Sequence, residues 1–205
     1  MTLASQPRPR AHALSLPNLL TYGRIAAIPA VVACLFWSQV FQGGLWLRWV
    51  ALFIFVAAAL TDYLDGYFAR MWELTSPLGR MLDPIADKIL VASCLLMLAA
   101  DGTILGWSLW AAIVILCREI MVSGLREFLA ELRVSVPVSR LAKWKTAVQL
   151  VAVGFLIAGE AGDRVMPYTT DMGLALLWIS AIVTLYTGWD YLQAASHHLI
   201  EERRP

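Results

Sequence analysis

Four aspartates stand in the stretch at residues 62–88, DYLDGYFARMWELTSPLGRMLDPIADK: Asp62, Asp65, Asp83 and Asp87. The first two are three residues apart and the last two are four apart, so each pair falls on one face of a helix. The short connection between them lets two helices return antiparallel, and all four carboxylates can then converge. Carboxylates brought within a few ångströms repel one another. A hard divalent cation removes that repulsion, and one or two Mg²⁺ or Mn²⁺ ions suit an all-oxygen set. The spacers fit an anionic ligand. Gly66 has no side chain and opens the helix backbone to a large group. Ala69 is small and on the same face, and Arg70 offers a guanidinium matched to phosphate. Gly79 permits close helix contact, and Pro84 is expected within the first turns of its helix, where proline is tolerated.

The elements that must position this set are membrane helices. The chain has 205 residues, 60% of them hydrophobic and only 15% charged. Its mean hydropathy is +0.67. Soluble domains carry fewer apolar and more charged residues, so disorder, a basic nucleic-acid binder and an ordinary soluble fold are excluded. Six apolar stretches approach the length of a span: Leu19 to Phe41, Leu45 to Arg70, Gly79 to Ala100, Ile104 to Leu129, Ala142 to Ala158 and Met172 to Gln193. The expected class is all-α, a polytopic membrane protein of six transmembrane helices in one domain over residues 1–205. Residues 1–16 form a polar tail without the features of a signal peptide.

Net charge is +1 and says nothing about partners; the placement of charge does. With the N-terminus in the cytoplasm, that side collects Arg8, Arg10, Arg70, Arg80, Arg126, Arg133, Arg140, Lys143, Lys145, Arg203 and Arg204. The other side keeps only Arg48 and Arg164 beside Asp101, Glu160, Asp163 and Asp171. The positive-inside rule then puts both termini and the aspartates on the cytoplasmic side. Tryptophans such as Trp37, Trp46, Trp49, Trp107 and Trp110 fall near helix ends, as an interfacial belt would. Cys34, Cys94 and Cys117 lie in apolar stretches and read as free thiols. His12, His197 and His198, all near the termini, read as uninvolved in metal binding.

The pattern D-x2-D-G-x2-A-R-x8-G-x3-D-x3-D, filled by Asp62, Asp65, Gly66, Ala69, Arg70, Gly79, Asp83 and Asp87, resembles the signature of the CDP-alcohol phosphatidyltransferase family at every fixed position. Three further segments, LPNLLTYGRI, REIMVSGLREFLAEL and AKWKTAVQL, are similar to bacterial members that make phosphatidylglycerophosphate. The resemblance implies a six-helix fold in the bacterial inner membrane and a homodimer. It also implies transfer of a phosphatidyl group from CDP-diacylglycerol to sn-glycerol 3-phosphate, releasing CMP. It assigns Asp62, Asp65 and Asp83 as metal ligands and Asp87 as ligand and general base. Asp62, Gly66, Ala69, Arg70 and Ser76 become contacts for CDP-diacylglycerol.

No Ser-His or Cys-His arrangement offers a covalent intermediate, so direct displacement is expected. The acceptor carries a phosphate and needs cations that the aspartate site lacks. Arg118, Arg126, Lys143 and Lys145 are the candidates; Arg118 stands inside an apolar span, with a salt bridge to Glu119 as its structural alternative. Lys143 and Lys145 also suit plain positive-inside anchors. Asn18, Thr21 and Arg24 form a polar edge on the first helix, either capping it or lining the nucleotide site. The signature does not choose the acceptor, so a sibling transferase using inositol phosphate, serine or phosphatidylglycerol is the alternative. A divalent-metal transporter is the alternative outside enzymes, against which the aspartates gather at one membrane face. A lipid-binding scaffold would not need all four.

Overall fold

Six helices follow one another in the computed structural model: α1 (Leu16–Val40), α2 (Trp46–Trp72), α3 (Pro77–Ala100), α4 (Ser108–Glu131), α5 (Arg140–Asp163) and α6 (Thr169–Glu201). The structure describes residues 16–41, 44–72, 77–132 and 140–201. The side chains at 16–18, 62–72, 77–80, 140, 142–143, 194 and 197–201 lie outside that description. Asp62, Asp65, Gly66, Ala69 and Arg70 are therefore known by backbone position alone, on the last turns of α2. Ser76 lies outside the described residues altogether.

The all-helical class agrees with expectation. Among the described residues, four helical segments are long and apolar enough to cross a membrane: Leu19–Val40, Ser108–Glu131, Trp144–Asp163 and Thr169–Gln193. Over its described side chains α2 adds a shorter apolar stretch, Trp46–Thr61, and Asp62 and Asp65 follow it in sequence. The first turns of α3 likewise carry Asp83, Asp87 and Lys88.

Helix α1 packs against α2 and α3; α5 packs against α6 and α2; α4 packs against α6. Val31, Leu35, Phe55, Leu95, Leu98, Ile115, Leu156 and Leu177 meet in a continuous core. Small residues bring the helices close. A Cβ at Gly173 would come within 2.9 Å of Leu156, so only glycine lets α6 lie this near α5. Gly154, expected to serve packing, faces Leu52 of α2 within the same chain. Large apolar side chains such as Phe53, Leu96, Ile120 and Trp144 point outward, the pattern of a surface solvated by lipid.

Several boundaries move. Ile104, expected to open the fourth helix, is a buried loop residue whose N–H donates to Leu98 O at 2.9 Å, and α4 starts at Ser108. Helix α3 starts at Pro77 rather than Gly79, so Pro84 stands about two turns in, where it removes one rung of the helical ladder. Helix α5 does break beside Ala158, but continues to Asp163 across a kink at Gly159, with φ 44° and ψ −129°.

Arg48 explains how that kink is tolerated. Its Nε donates to Ile157 O at 2.9 Å and its Nη2 to Leu156 O at 3.0 Å, carbonyls whose normal partners lie beyond the kink. Its Nη1 meets Asp101 Oδ2 at 3.0 Å, and Nη2 also donates to Thr103 Oγ1 at 3.0 Å. A Cβ on residue 159 would collide with the guanidinium. Arg48 is thus a buried staple joining α2, the α3–α4 loop and α5, rather than a loop charge. It marks one end of the bundle, called here the far end; the end where α2 finishes and α3 begins is the motif end. Trp46, Trp49, Trp107 and Trp110 are exposed at the far end, in keeping with a belt.

Candidate active site

At the motif end, α1 and α3 run side by side. Thr21 and Arg24 are three residues apart on α1, and Asp83 and Asp87 four apart on α3, so two polar faces meet at matching heights. Thr21 Oγ1 donates to Asp83 Oδ1 at 2.6 Å. Arg24 Nη1 donates to Asp87 Oδ1 at 2.9 Å and lies 4.0 Å from Asp83 Oδ1. The Arg24 side chain is 0% exposed, whereas those of Asp83 and Asp87 are 40% and 43% exposed. A buried guanidinium therefore holds two half-open carboxylates at the protein surface.

This pair of carboxylates fits a hard cation. The donors are oxygen, both side chains are reachable from outside, and both are oriented by hydrogen bonds from behind, as metal-binding carboxylates usually are. No group of three or more ligating side chains is found among the described residues. Only two of the four aspartates have described side chains, and whether Asp62 and Asp65 join them lies outside the description.

A second polar cluster sits between α4, α5 and α6. Arg118 and Glu119, midway along α4, turn inward. Lys145 from α5 forms an ion pair with Glu119, and its side chain is 3% exposed. Arg118 Nη1 lies 3.6 Å from the same carboxylate, and Nη2 donates to Thr187 Oγ1 of α6 at 3.2 Å. Lys145 is thus no surface anchor. The salt bridge weighed for Arg118 is present, but it is shared. Arg126 is exposed two turns further along α4, toward the motif end. The Lys143 side chain lies outside the description.

A cavity of about 490 Å³ opens at the far end, lined by Arg48, Asp101, Thr103, Glu160, Asp163 and Tyr168 among others. It belongs to the Arg48 staple and lies at the opposite end of the bundle from Asp83 and Asp87.

Sequence reasoning placed Thr21 and Arg24 on a polar edge without finding their partners. The spacing match between positions 21 and 24 and positions 83 and 87 was the available signal. Glu119 and Thr187 were not foreseen as parts of one site. Two adjacent charges inside an apolar span were the clue for Glu119; nothing local singled out Thr187.

Comparison with known proteins finds relatives over most of the chain. A family model described as CDP-alcohol phosphatidyltransferase matches residues 14–186. The chain is 41% identical over 184 residues to the CDP-diacylglycerol–glycerol-3-phosphate 3-phosphatidyltransferase of Rickettsia bellii, covering 90% of this chain and 97% of that one. It is 37% identical to the protein of the same name from Cereibacter sphaeroides, covering 92% and 99%. It is also 38% identical to a cardiolipin synthase (CMP-forming) of Oryza sativa, covering 93% of this chain and 60% of that one. The match over most of the chain, together with the carboxylates presented by α3, shows that this protein belongs to the CDP-alcohol phosphatidyltransferase family.

Proposed function

We propose that the protein transfers the phosphatidyl group of CDP-diacylglycerol to sn-glycerol 3-phosphate, giving phosphatidylglycerophosphate and CMP. The observation that carries this is the joint presentation of Asp83 and Asp87, half-exposed, one turn apart and braced by Thr21 and Arg24. The names of the bacterial relatives support glycerol 3-phosphate as acceptor.

Asp62, Asp65, Asp83 and Asp87 would hold one or two Mg²⁺ or Mn²⁺ ions, which neutralise the pyrophosphate and stabilise departing CMP. Asp87 takes the proton of the acceptor's primary hydroxyl as that oxygen attacks the β-phosphorus. The new P–O bond forms as the bond to CMP breaks, and CMP leaves with the electron pair. Arg24 holds Asp87 in place for that step, and Thr21 does the same for Asp83. Gly66, Ala69, Arg70 and Ser76, with Asp62, would contact the donor's headgroup. Arg118, Lys145, Arg126 and Lys143 would attract the acceptor's phosphate, the first two from a buried position.

The distribution of Lys and Arg supports placing the motif end in the cytoplasm, with all six helices in the bacterial inner membrane. Half-exposed Ala57 and Ala59 on α2 leave room for a second copy, which supports a homodimer.

The experiment is CMP release from CDP-diacylglycerol by purified protein, with and without glycerol 3-phosphate and with and without Mg²⁺ or Mn²⁺. Release that requires both supports the proposal. Release that ignores glycerol 3-phosphate but requires phosphatidylglycerol would instead favour the second reading, a cardiolipin-forming sibling, which the plant relative brings into view.

A further inference from the structure

Midway along α4, one carboxylate serves two cations. Glu119 pairs with Lys145 of α5 and lies 3.6 Å from Arg118 Nη1. The side chains of Arg118 and Lys145 are 11% and 3% exposed, and Glu119 is 20% exposed. Charges this far from water are costly unless paired, and apolar residues of similar size would stabilise a membrane bundle as well or better. A single Lys–Glu pair would leave no surplus. This cluster keeps an extra positive charge and aims it, with its neighbour, at one acidic oxygen. Gln149, one turn along the same face of α5 from Lys145, is 4% exposed, and its Oε1 has no hydrogen-bond partner among the described residues. Such a region is built to take a further polar group.

We infer that Glu119 is an internal stand-in for the acceptor's phosphate. Its carboxylate occupies the focus of Arg118 and Lys145 while the site is empty, and gives up Lys145 when a phosphomonoester arrives. The inference rests on the proposed acceptor role of those two cations. Carboxylate and phosphate both accept charge-assisted hydrogen bonds from ammonium and guanidinium. A phosphate dianion brings about two charges and three acceptor oxygens against one charge and two oxygens, so it displaces the carboxylate where chloride or a free carboxylate does not. Glu119 thereby keeps two buried cations compensated in the bilayer and sets how strong an anion must be to enter. It is a positioning and specificity-setting residue, acting through Lys145 and Arg118.

The full-length protein in detergent tests this. Glu119→Gln keeps the side-chain shape and removes the competing charge. The KM for glycerol 3-phosphate is expected to fall roughly fivefold, the low end of coupling between groups that contend for one partner. The inhibition constant of inorganic phosphate, competing with glycerol 3-phosphate, should fall in parallel while the KM for CDP-diacylglycerol stays put. A purely structural Glu119 would lower stability without this split between substrates. A KM for glycerol 3-phosphate that is unchanged or raised overturns the inference. If Glu119→Gln does not fold, Glu119→Asp retains the charge on a shorter arm; a KM shift in the same direction supports the inference, and no shift or a rise overturns it. Lys145→Met separates this from the underlying proposal. A raised KM for glycerol 3-phosphate in that variant supports the acceptor site, whereas an unchanged value overturns the acceptor assignment and the inference with it.

Discussion

Replacing Arg24 with methionine removes the charge that braces the aspartates while keeping most of the aliphatic stem. The guanidinium is fully buried, donates to Asp87 at 2.9 Å and stands 4.0 Å from Asp83. A hydrogen bond to a charged group contributes about 1.5–3 kcal/mol. The two carboxylates are 40% and 43% exposed, so water takes over part of the lost interaction. Screening of that kind favours the lower half of the range, about 2 kcal/mol. If that energy orients Asp87 for proton transfer, its loss falls on turnover, and about 2 kcal/mol corresponds to a roughly thirtyfold drop in kcat. The assay is CMP release at saturating donor, acceptor and Mg²⁺, with thermal unfolding in the same detergent as a check on folding. The KM for CDP-diacylglycerol should move by less than about threefold, since the lost interaction is not with the donor. A folded Arg24→Met protein with kcat within about threefold of the parent would refute the reasoning. So would a defect confined to the KM for glycerol 3-phosphate, which would move Arg24 to the acceptor side.

Asp87→Asn keeps the shape but cannot take the proton, and kcat should fall on the order of 10²- to 10⁴-fold; near-normal turnover in a folded protein would remove Asp87 as the base. Exhaustive chelation should stop CMP release, and adding back Mg²⁺ or Mn²⁺ should restore it; activity that survives chelation would speak against metal at the aspartates. Arg48→Met leaves the Asp101 carboxylate without its counter-charge and the Leu156 and Ile157 carbonyls without their donor, so unfolding in detergent should shift by about 3 kcal/mol or more, with kcat at low temperature retained. Unchanged stability would show that the kink at Gly159 needs no staple. Gly173→Val drives a side chain into Leu156 and should destabilise by about 1–3 kcal/mol, read in the same unfolding experiment.

Much of this molecule could be read from the chain, for identifiable reasons. The six helices were legible because long apolar runs admit few alternatives to a helix, which bonds every backbone group within the segment. The carboxylate pairing on α3 was legible because i and i+4 share a helix face whatever the tertiary context. The partners of Asp83 and Asp87 were not, because the register between α1 and α3 depends on how they pack, and no local rule connects residue 24 with residue 87. The anchor alternative for Lys145 failed for a related reason. A lysine near a predicted helix start has the same sequence appearance whether it meets headgroups or a glutamate on another helix. Arg48 looked like one of two basic residues on the sparsely charged side, and only the break at Gly159 reveals why a buried donor is needed there. The α5 kink itself was half legible: the apolar run ends at Ala158, but the turn of helix beyond it depends on Arg48 for its support.

The Arg48 staple also sets a fixed point for the helices it joins. Because it pins α2 to α5 and to the α3–α4 loop at the far end, any relative tilt of these helices would pivot there. From residue 48 to residue 62 is fourteen positions of helix, a lever of about 21 Å. A tilt of about 5° about that point would carry the motif end of α2 by about 2 Å, comparable to the radius of a methylene chain. The strength of one buried guanidinium at the far end would thus be felt as ångströms of placement at the end that bears the aspartates.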